Sequence, residues 1–358
     1  MKKNTKLNFN GQNIYVGIDV HKKSWSVAII LNQLLIKKFS MNPSPKQLIE
    51  YLRKNYPNGE YYSVYEAGFS GFWAHRELLR LGINNIVVNP ADVPTRGKER
   101  RSKTDRVDAV KLARELSVGH LTGIYVPEES IEALRVLVRL RRQLVKEQVR
   151  TKQRIKSLLM YLGKTVTDEG INDKTWSKGY IRALRYLAIE QQNAKKALDT
   201  LLDNLEYIRK QIAYIVNQLK EHISKDERAR DVTALLRSVP GVGFIFSVIL
   251  YTEIIDIERF GRLDELASYI GLTPAVRSSG ERQITLGLVN QNNKYIRNAL
   301  IEAAWVAVRK DRALQMAYGK LLKKMPKNKA IIRISKKLLN RIRSVWKYGH
   351  VYVLSVVE

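Results

Sequence analysis

The sequence predicts a multidomain chain of class α/β plus α. A mixed sheet with helices on its faces fills the first third, long helices the middle, and mainly helical structure the last third. Three observations predict it. Residues 13–116 switch between the apolar period of a strand and that of a helix. Residues 128–225 carry only Gly163, Gly170 and Gly179 as glycines, with a sustained heptad of apolar positions. Residues 229–358 break into shorter helices around glycine turns. The expected domains are therefore 1–127, 128–228 and 229–358.

In the first region Ile14, Val16 and Ile18 alternate with Tyr15, Gly17 and Asp19, the two-residue period of a strand. Trp25 to Leu31 and Leu34 to Phe39 read as two more strands joined at Asn32-Gln33. Pro45 to Asn55 opens on proline and reads as a helix. Tyr61 to Tyr65 is a fourth strand, Phe72 to Leu81 a helix closed by Gly82, and Ile86 to Val88 a fifth strand ended by Asn89-Pro90. Asp105 to Leu116 is helical again, giving the order β-β-β-α-β-α-β-α.

The middle region reads as a coiled coil. Ile131 to Leu162 is one long basic helix. Leu198, Leu201, Leu205, Ile208, Ile212, Ile215 and Leu219 then recur at alternating steps of three and four, the seam of a heptad. The periodicity fits pairing within one chain or between copies, and an antiparallel hairpin that also dimerises is one expectation. The last region contains Leu235-Leu236-Arg237-Ser238-Val239-Pro240-Gly241-Val242-Gly243, then a helix over Phe244 to Ile254, which together resemble a helix-hairpin-helix. The exposed N–H groups around Gly241 and Gly243 suit a phosphate without reading sequence. Thr273 to Gln283 reads as a loop.

Charge narrows the function. Lys and Arg number 63 against 34 Asp and Glu, a formal net charge of +29. Such a surface attracts polyanions, and nucleic acid is the expected partner. No acidic residue lies between Arg312 and Val357, where basic residues are dense. There is no cysteine, which excludes a disulfide framework and thiolate metal sites. No apolar run has the ~20 residues a membrane span needs, and Met1 to Asn10 lacks a signal-peptide core, so no membrane partner and a cytoplasmic location are expected.

Four carboxylates stand where chemistry is plausible. Asp19 and Glu66 end the first and fourth strands; Asp105 and Asp108 lie three apart and share one helix face. Four acids gathered together need cations, and hard oxygen ligands select Mg²⁺, with Mn²⁺ as the alternative. Two such ions can clamp both oxygens of a phosphodiester displacement. Taken singly, each acid also fits a helix cap, an ion pair or a solvated strand end. A second candidate is Ser279, beside Gly280, flanked by Arg277 and Arg282 and followed by Lys294 and Arg297, cations suited to a phosphate. A plain Ser-Ser-Gly turn is the alternative. His21, two residues past Asp19, reads as a neighbour rather than a ligand, and Trp73, Trp176, Tyr180 and Tyr186 as packing residues rather than base-stacking ones.

These segments resemble, in order and over nearly the whole chain, the DEDD transposases of the IS-one-ten (IS110) insertion-sequence family and the related Piv-type invertases. The resemblance rests on Gly17-Ile18-Asp19, Glu66-Ala67-Gly68, Lys103-Thr104-Asp105-Arg106-Val107-Asp108-Ala109, Ser238-Val239-Pro240-Gly241-Val242-Gly243, and Gly271-Leu272-Thr273-Pro274 running into Ser279-Gly280. It implies a RuvC-like N-terminal domain of the RNase H fold, a coiled coil and a C-terminal transposase domain. It implies Mg²⁺ on Asp19, Glu66, Asp105 and Asp108, and a covalent phosphoserine link at Ser279. It further implies donor and target DNA, a structured guide RNA, and work as a dimer or tetramer. Two positions depart from the family pattern: Asn292-Asn293 stands where a Gly-Asn step is frequent, and Glu281 where a second glycine commonly follows Ser-Gly. A hydrolytic RuvC-like nuclease, needing the acids alone, is the enzymatic alternative.

Overall fold

The computed structural model describes residues 8–94, 105–165, 175–279, 282–288 and 293–354. The chain forms two compact units, residues 1–126 and 127–358. The first is α/β; the second is mostly helical, and twelve α-helices occur among the described residues.

The first unit is built on a five-stranded sheet of order β3-β2-β1-β4-β5. Its strands are β1 (Asn13–Val20), β2 (Trp25–Leu31), β3 (Leu34–Met41), β4 (Glu60–Glu66) and β5 (Asn84–Val88). The first three form an antiparallel meander, and β4 and β5 then join parallel to β1. Asn32 and Gln33 link β2 to β3 with φ of 48° and 63°. Two successive positive φ values make the two-residue hairpin whose twist matches that of its strands.

Alternation along each strand sends side chains to two faces. One face carries Ile14, Val16, Ile18, Val27, Ile29 and Tyr65, covered by α1 (Pro45–Asn55) and α2 (Trp73–Arg80). Ser44 caps α1 by accepting from Gln47 N at 3.3 Å, and Pro45 presets its first turn. The other face is covered by α3 (Asp105–Ser117), whose Ala109 and Ala113 sit on Ala28 and Ile30, and whose Leu112 sits on Val64 and Val88. Gly17 makes this packing possible. A Cβ there would lie 2.0 Å from the Ala109 carbonyl oxygen and 2.5 Å from the Ala113 nitrogen, so only glycine lets the helix backbone approach so closely.

The second unit begins with two long helices, α4 (Glu129–Tyr161) and α6 (Gln192–Lys225), with α5 (Lys178–Tyr186) between them. Ile155 and Leu159 of α4 meet Leu198, Leu202 and Leu205 of α6, while Leu134 and Val138 meet Ile215, Leu219 and Ile223. The pair is therefore antiparallel and within one chain. The seam differs from a strict heptad: Leu201 and Ile212 are half-buried, and Leu202 and Ile223 are buried instead. α5 supplies Tyr180, Ile181 and Leu184 to the same cluster, so one half of α6 buries a wider face than a two-helix seam needs.

The remaining elements are α7 (Glu227–Arg237), α8 (Phe244–Ile254), a 3₁₀ turn (Ile257–Arg259), α9 (Leu263–Ile270), β6 (Pro274–Ser279), β7 (Arg282–Leu288), α10 (Lys294–Lys310), α11 (Arg312–Leu322) and α12 (Lys327–Tyr348). Their core runs from Leu236 and Val242 through Leu250, Leu266, Leu300 and Ala304 to Leu338 and Ile342. The segment expected to be a loop over Thr273 to Gln283 is instead most of an antiparallel hairpin, β6 with β7. Alternation of Ile284, Leu286 and Leu288 with Gln283, Thr285 and Gly287 supports the strand, and it outweighs the turn signals of Pro274, Ser278 and Ser279. Among the described residues no helix is long and apolar enough to cross a membrane.

Candidate functional site

Asp19 is the penultimate residue of β1 and Glu66 the last of β4. The parallel ladder between these strands runs to Ile18 opposite Tyr65, and one further step sets Asp19 beside Glu66. By parity both point to the face of Gly17 and Val64, the face that α3 covers. Both are half-buried. His21 Nδ1 lies 3.4 Å from Asp19 Oδ1, so the histidine neighbours the acid. Asp108, also half-buried, precedes the alanine whose carbonyl rests on Gly17. Asp105 opens α3, and its side chain lies outside the described residues. Among the described residues no three acids or histidines converge as a metal-holding group. Strand register thus sets Asp19 beside Glu66, and Asp108 lies on α3, the helix that covers their face.

Ser279 is the last residue of β6, paired with Arg282, the first of β7; only Gly280 and Glu281 separate them. The serine therefore stands at the tip of a hairpin. The side chains of Arg277, Ser279 and Arg282 lie outside the described residues. Lys294 is the exposed first residue of α10, and Arg297 is half-buried one turn on.

The root of that hairpin holds what the sequence did not announce. Glu253, at the end of α8, is only 1% exposed. Arg139 of α4 grips its carboxylate with both arms, Nε to Oε1 and Nη2 to Oε2, each at 2.9 Å. Asn293 Nδ2 donates to Oε2 at 2.8 Å, and Tyr269 OH donates to the Glu253 backbone carbonyl at 2.9 Å. Burial disfavours the Arg139 charge, yet the hydrogen bonds and charge of Glu253 outweigh it and hold the guanidinium above its ordinary value. At Arg135 burial wins and moves the group downward; it donates twice to the Thr252 carbonyl, at 2.9 and 2.8 Å. Arg259 takes the last helical carbonyl, Ile254 O, at 2.8 Å. Three terminal carbonyls of α8 are thus met by side chains. The helix then stops in a tight turn, with Asp256 N on Ile254 O at 2.8 Å and Ile255 at φ 68°, ψ −55°. A β-branched residue there is strained. A single acid in the apolar run Phe244 to Ile254 was the signal available in the sequence.

Asn293 is the second residue of the Asn292-Asn293 step, whose first residue lies outside the described residues. Its Oδ1 accepts from Tyr295 N and Ile296 N at 3.1 and 3.3 Å, capping α10. Arg139 and Arg142 both lie over the Tyr295 ring, at 4.8 and 4.4 Å from its centre.

The two glycines of the Pro240–Gly243 turn have different jobs. Gly241 has φ +89°, and a Cβ there would lie 2.2 Å from the Ala303 carbonyl, so it is fixed by packing against α10. Gly243 has open space around it and caps α8. With Arg237, Ser238, Val306 and Lys310 this turn lines a surface cleft that includes Gly243, the N-cap of α8. Of the aromatics, Trp176 and Tyr180 are buried as expected, Trp73 packs on Trp25, and Tyr186 is exposed.

Comparison with known proteins matches both halves of this layout. A family model described as Transposase, the DEDD transposase of IS110, matches residues 16–162, and one described as Transposase IS116/IS110/IS902 family matches residues 233–319. A Sinorhizobium fredii protein that carries a transposase name, y4qE, is 32% identical over 245 residues, covering 68% of this chain and 58% of that protein. The transposase for insertion sequence element IS1533 of Leptospira borgpetersenii is 24% identical over 82% of this chain and 84% of its own length. The transposase for insertion sequence element IS1111A of Coxiella burnetii is 26% identical over 68% of this chain and 64% of its own. The chain thus spans a little over half of the first of these relatives and most of the second. Two models of one family fall in order on the acid-bearing and serine-bearing parts, and the chain belongs to the IS110/IS116 family of insertion-sequence transposases.

Proposed function

We propose that this transposase cuts and rejoins DNA through a covalent serine–DNA intermediate, with a Mg²⁺-dependent acidic site in its first domain. The observation that carries the reading is the pairing of Asp19 and Glu66 at the ends of adjacent parallel strands, on the face that α3 covers with Asp108. A meander followed by two parallel strands, with helices on both faces, supports a RuvC-like domain of the RNase H fold. Asp19, Glu66, Asp105 and Asp108 offer an all-oxygen donor set that suits Mg²⁺ or Mn²⁺. Bound there, such an ion would stabilise charge growing on a phosphate oxygen.

At Ser279 the chemistry is transfer rather than hydrolysis. The serine Oγ bonds to phosphorus as one P–O bond of the strand breaks; the serine proton leaves, and the departing oxygen gains one as a strand hydroxyl. A partner strand's hydroxyl later attacks the phosphoserine and releases Ser279, so the phosphodiester is restored without ATP. Arg277, Arg282, Lys294 and Arg297 would hold the phosphate. Gly243 would accept DNA backbone at the α8 N-terminus, while the packing of Gly241 supports that turn. The three segments 1–127, 128–228 and 229–358 are the acidic domain, a coiled-coil region and the serine domain. Donor and target DNA, a structured guide RNA and a second copy of the chain are its proposed partners.

Trapping tests this. The protein, with any co-purifying RNA, is incubated with Mg²⁺ and DNA carrying its element's ends and insertion site. A protein–DNA adduct on a denaturing gel, present in the wild type and absent in Ser279→Ala, is expected. Cleavage without adduct, equal in both proteins, would establish the hydrolytic nuclease instead.

A further inference from the structure

We propose that Glu253 is a positioning residue for the reaction at Ser279: gripped by Arg139, it fixes both roots of the hairpin that carries the serine. The chain enters the hairpin from α9 and leaves it into α10. Tyr269, in the last turn of α9, donates its hydroxyl to the Glu253 carbonyl at 2.9 Å. Asn293, the cap of α10, donates to the Glu253 carboxylate at 2.8 Å. The two roots also bond to each other, Asn293 N to Tyr269 O at 3.0 Å. Residues 269 and 293 bracket β6 and β7, and both are tied to residue 253.

Three features separate this from ordinary core filling. First, Glu253 is a buried charge met by two guanidiniums, half-exposed Arg139 at 2.9 Å and the more buried Arg135 at 3.8 Å. Burying such a charge seldom raises stability over apolar side chains of the same volume, so its presence points to a geometric role. Second, Glu253 is used as a pure acceptor: two Arg139 nitrogens and Asn293 Nδ2 all donate to it. Glutamine has one oxygen and would set an N–H against a donor. Third, strained Ile255 lies two residues on and is buried, which marks an end of α8 held by its surroundings rather than by local preference. A nucleophile on a two-stranded hairpin needs such a foundation, because a shift of about 1 Å at a reacting atom costs on the order of 100-fold in rate.

This proposal rests on the serine reading, and its test keeps the two apart. Four proteins are compared: wild type, Glu253→Gln, Ser279→Ala, and the double variant Glu253→Leu with Arg139→Leu, which removes the bidentate pair and leaves Arg135 on the Thr252 carbonyl. Adduct formation, DNA affinity, the thermal midpoint and amide hydrogen exchange over 274–288 are measured. Glu253→Gln should slow adduct formation about 100-fold with DNA affinity unchanged, and should speed exchange in β6 and β7. The double variant should regain part of the thermal midpoint lost in Glu253→Gln, the Arg135 charge staying unpaired, and should still form adduct slowly. Recovery of the wild-type adduct rate in the double variant would make Glu253 merely structural and overturn the proposal. Unchanged exchange over 274–288 in Glu253→Gln would do the same, whatever the chemistry. If the wild type forms no serine adduct while Glu253→Gln still loosens the hairpin, the serine reading falls and takes the catalytic part with it.

Discussion

Gly17 and Gly241 perform one task in two unlike settings. Each lets the backbone of a helix lie directly on the chain, Ala109 O on the first and Ala303 O on the second. Gly17 sits in a regular strand, where any residue could adopt the backbone and only space excludes a side chain. Gly241 sits in a turn at φ +89°, where both space and conformation demand glycine. The acid-bearing unit is thus organised by regular ladders, and the serine-bearing unit by single turns and side-chain anchors. A change in the first unit should act through volume alone, whereas one in the second should act through volume and backbone together.

The largest expected effect follows from that difference. Gly241→Ala should cost about 4 kcal/mol, an overpacking term of up to ~3 kcal/mol plus ~1 kcal/mol for a left-handed alanine. Gly17→Ala should cost about 2 to 3 kcal/mol, from overpacking alone. Urea denaturation of both variants checks the order, with Gly243→Ala as a control expected to cost no more than about 1 kcal/mol, since nothing crowds it and only the N-cap preference is lost. Equal losses at 17 and 241 would mean that backbone conformation adds nothing at the turn.

The helical hairpin sharpens the comparison between pattern and packing. Leu205 and Ile212 occupy the same expected seam, but Leu205 is fully buried and Ile212 half-buried. Leu205→Ala should therefore cost about 2 to 3 kcal/mol and Ile212→Ala about 1 kcal/mol. If a second copy covers Ile212, Leu205→Lys with Ile212→Lys should also lower the mass measured by light scattering. Equal destabilisation by the two alanines would restore the strict seam.

What could be read from sequence divides along the same line. The five strands and the helices of the first unit were legible because period-2 and period-3.6 patterns report burial directly. The expectation that Asp19 and Glu66 would stand side by side depended on their strands being neighbours, which periodicity does not report and the β1–β4 ladder supplies. α8 was legible as well, over the same residues Phe244–Ile254. The hairpin of Ser279 was not, because Pro274, Ser278 and Ser279 are turn residues by local preference and were outvoted by pairing across the strands. The anchor at Glu253 was hidden more deeply. Arg139 lies 114 positions earlier in the chain and Asn293 lies 40 later, and no local pattern reports such a meeting. In the first unit the candidate acids stand on periodic elements. In the second Ser279 stands on an element whose foundation is tertiary.

The smallest effect lies in the most regular part of the molecule and has the opposite sign. Asn32 and Gln33 both adopt positive φ between β2 and β3. Asparagine tolerates that conformation and glutamine does not share its local hydrogen bonding. The favoured pair for this turn is Asn-Gly, so Gln33→Gly should stabilise the first unit by about 0.5 to 1 kcal/mol despite the entropy that glycine adds to the unfolded chain. The check is the urea midpoint of the variant, with DNA affinity as the control. A lower midpoint would show that the entropy lost on ordering glycine exceeds the left-handed strain of glutamine. The turn would then owe its shape to the β2–β3 ladder, and even the regular unit would be setting local conformation from outside, as the serine-bearing unit does at Ile255.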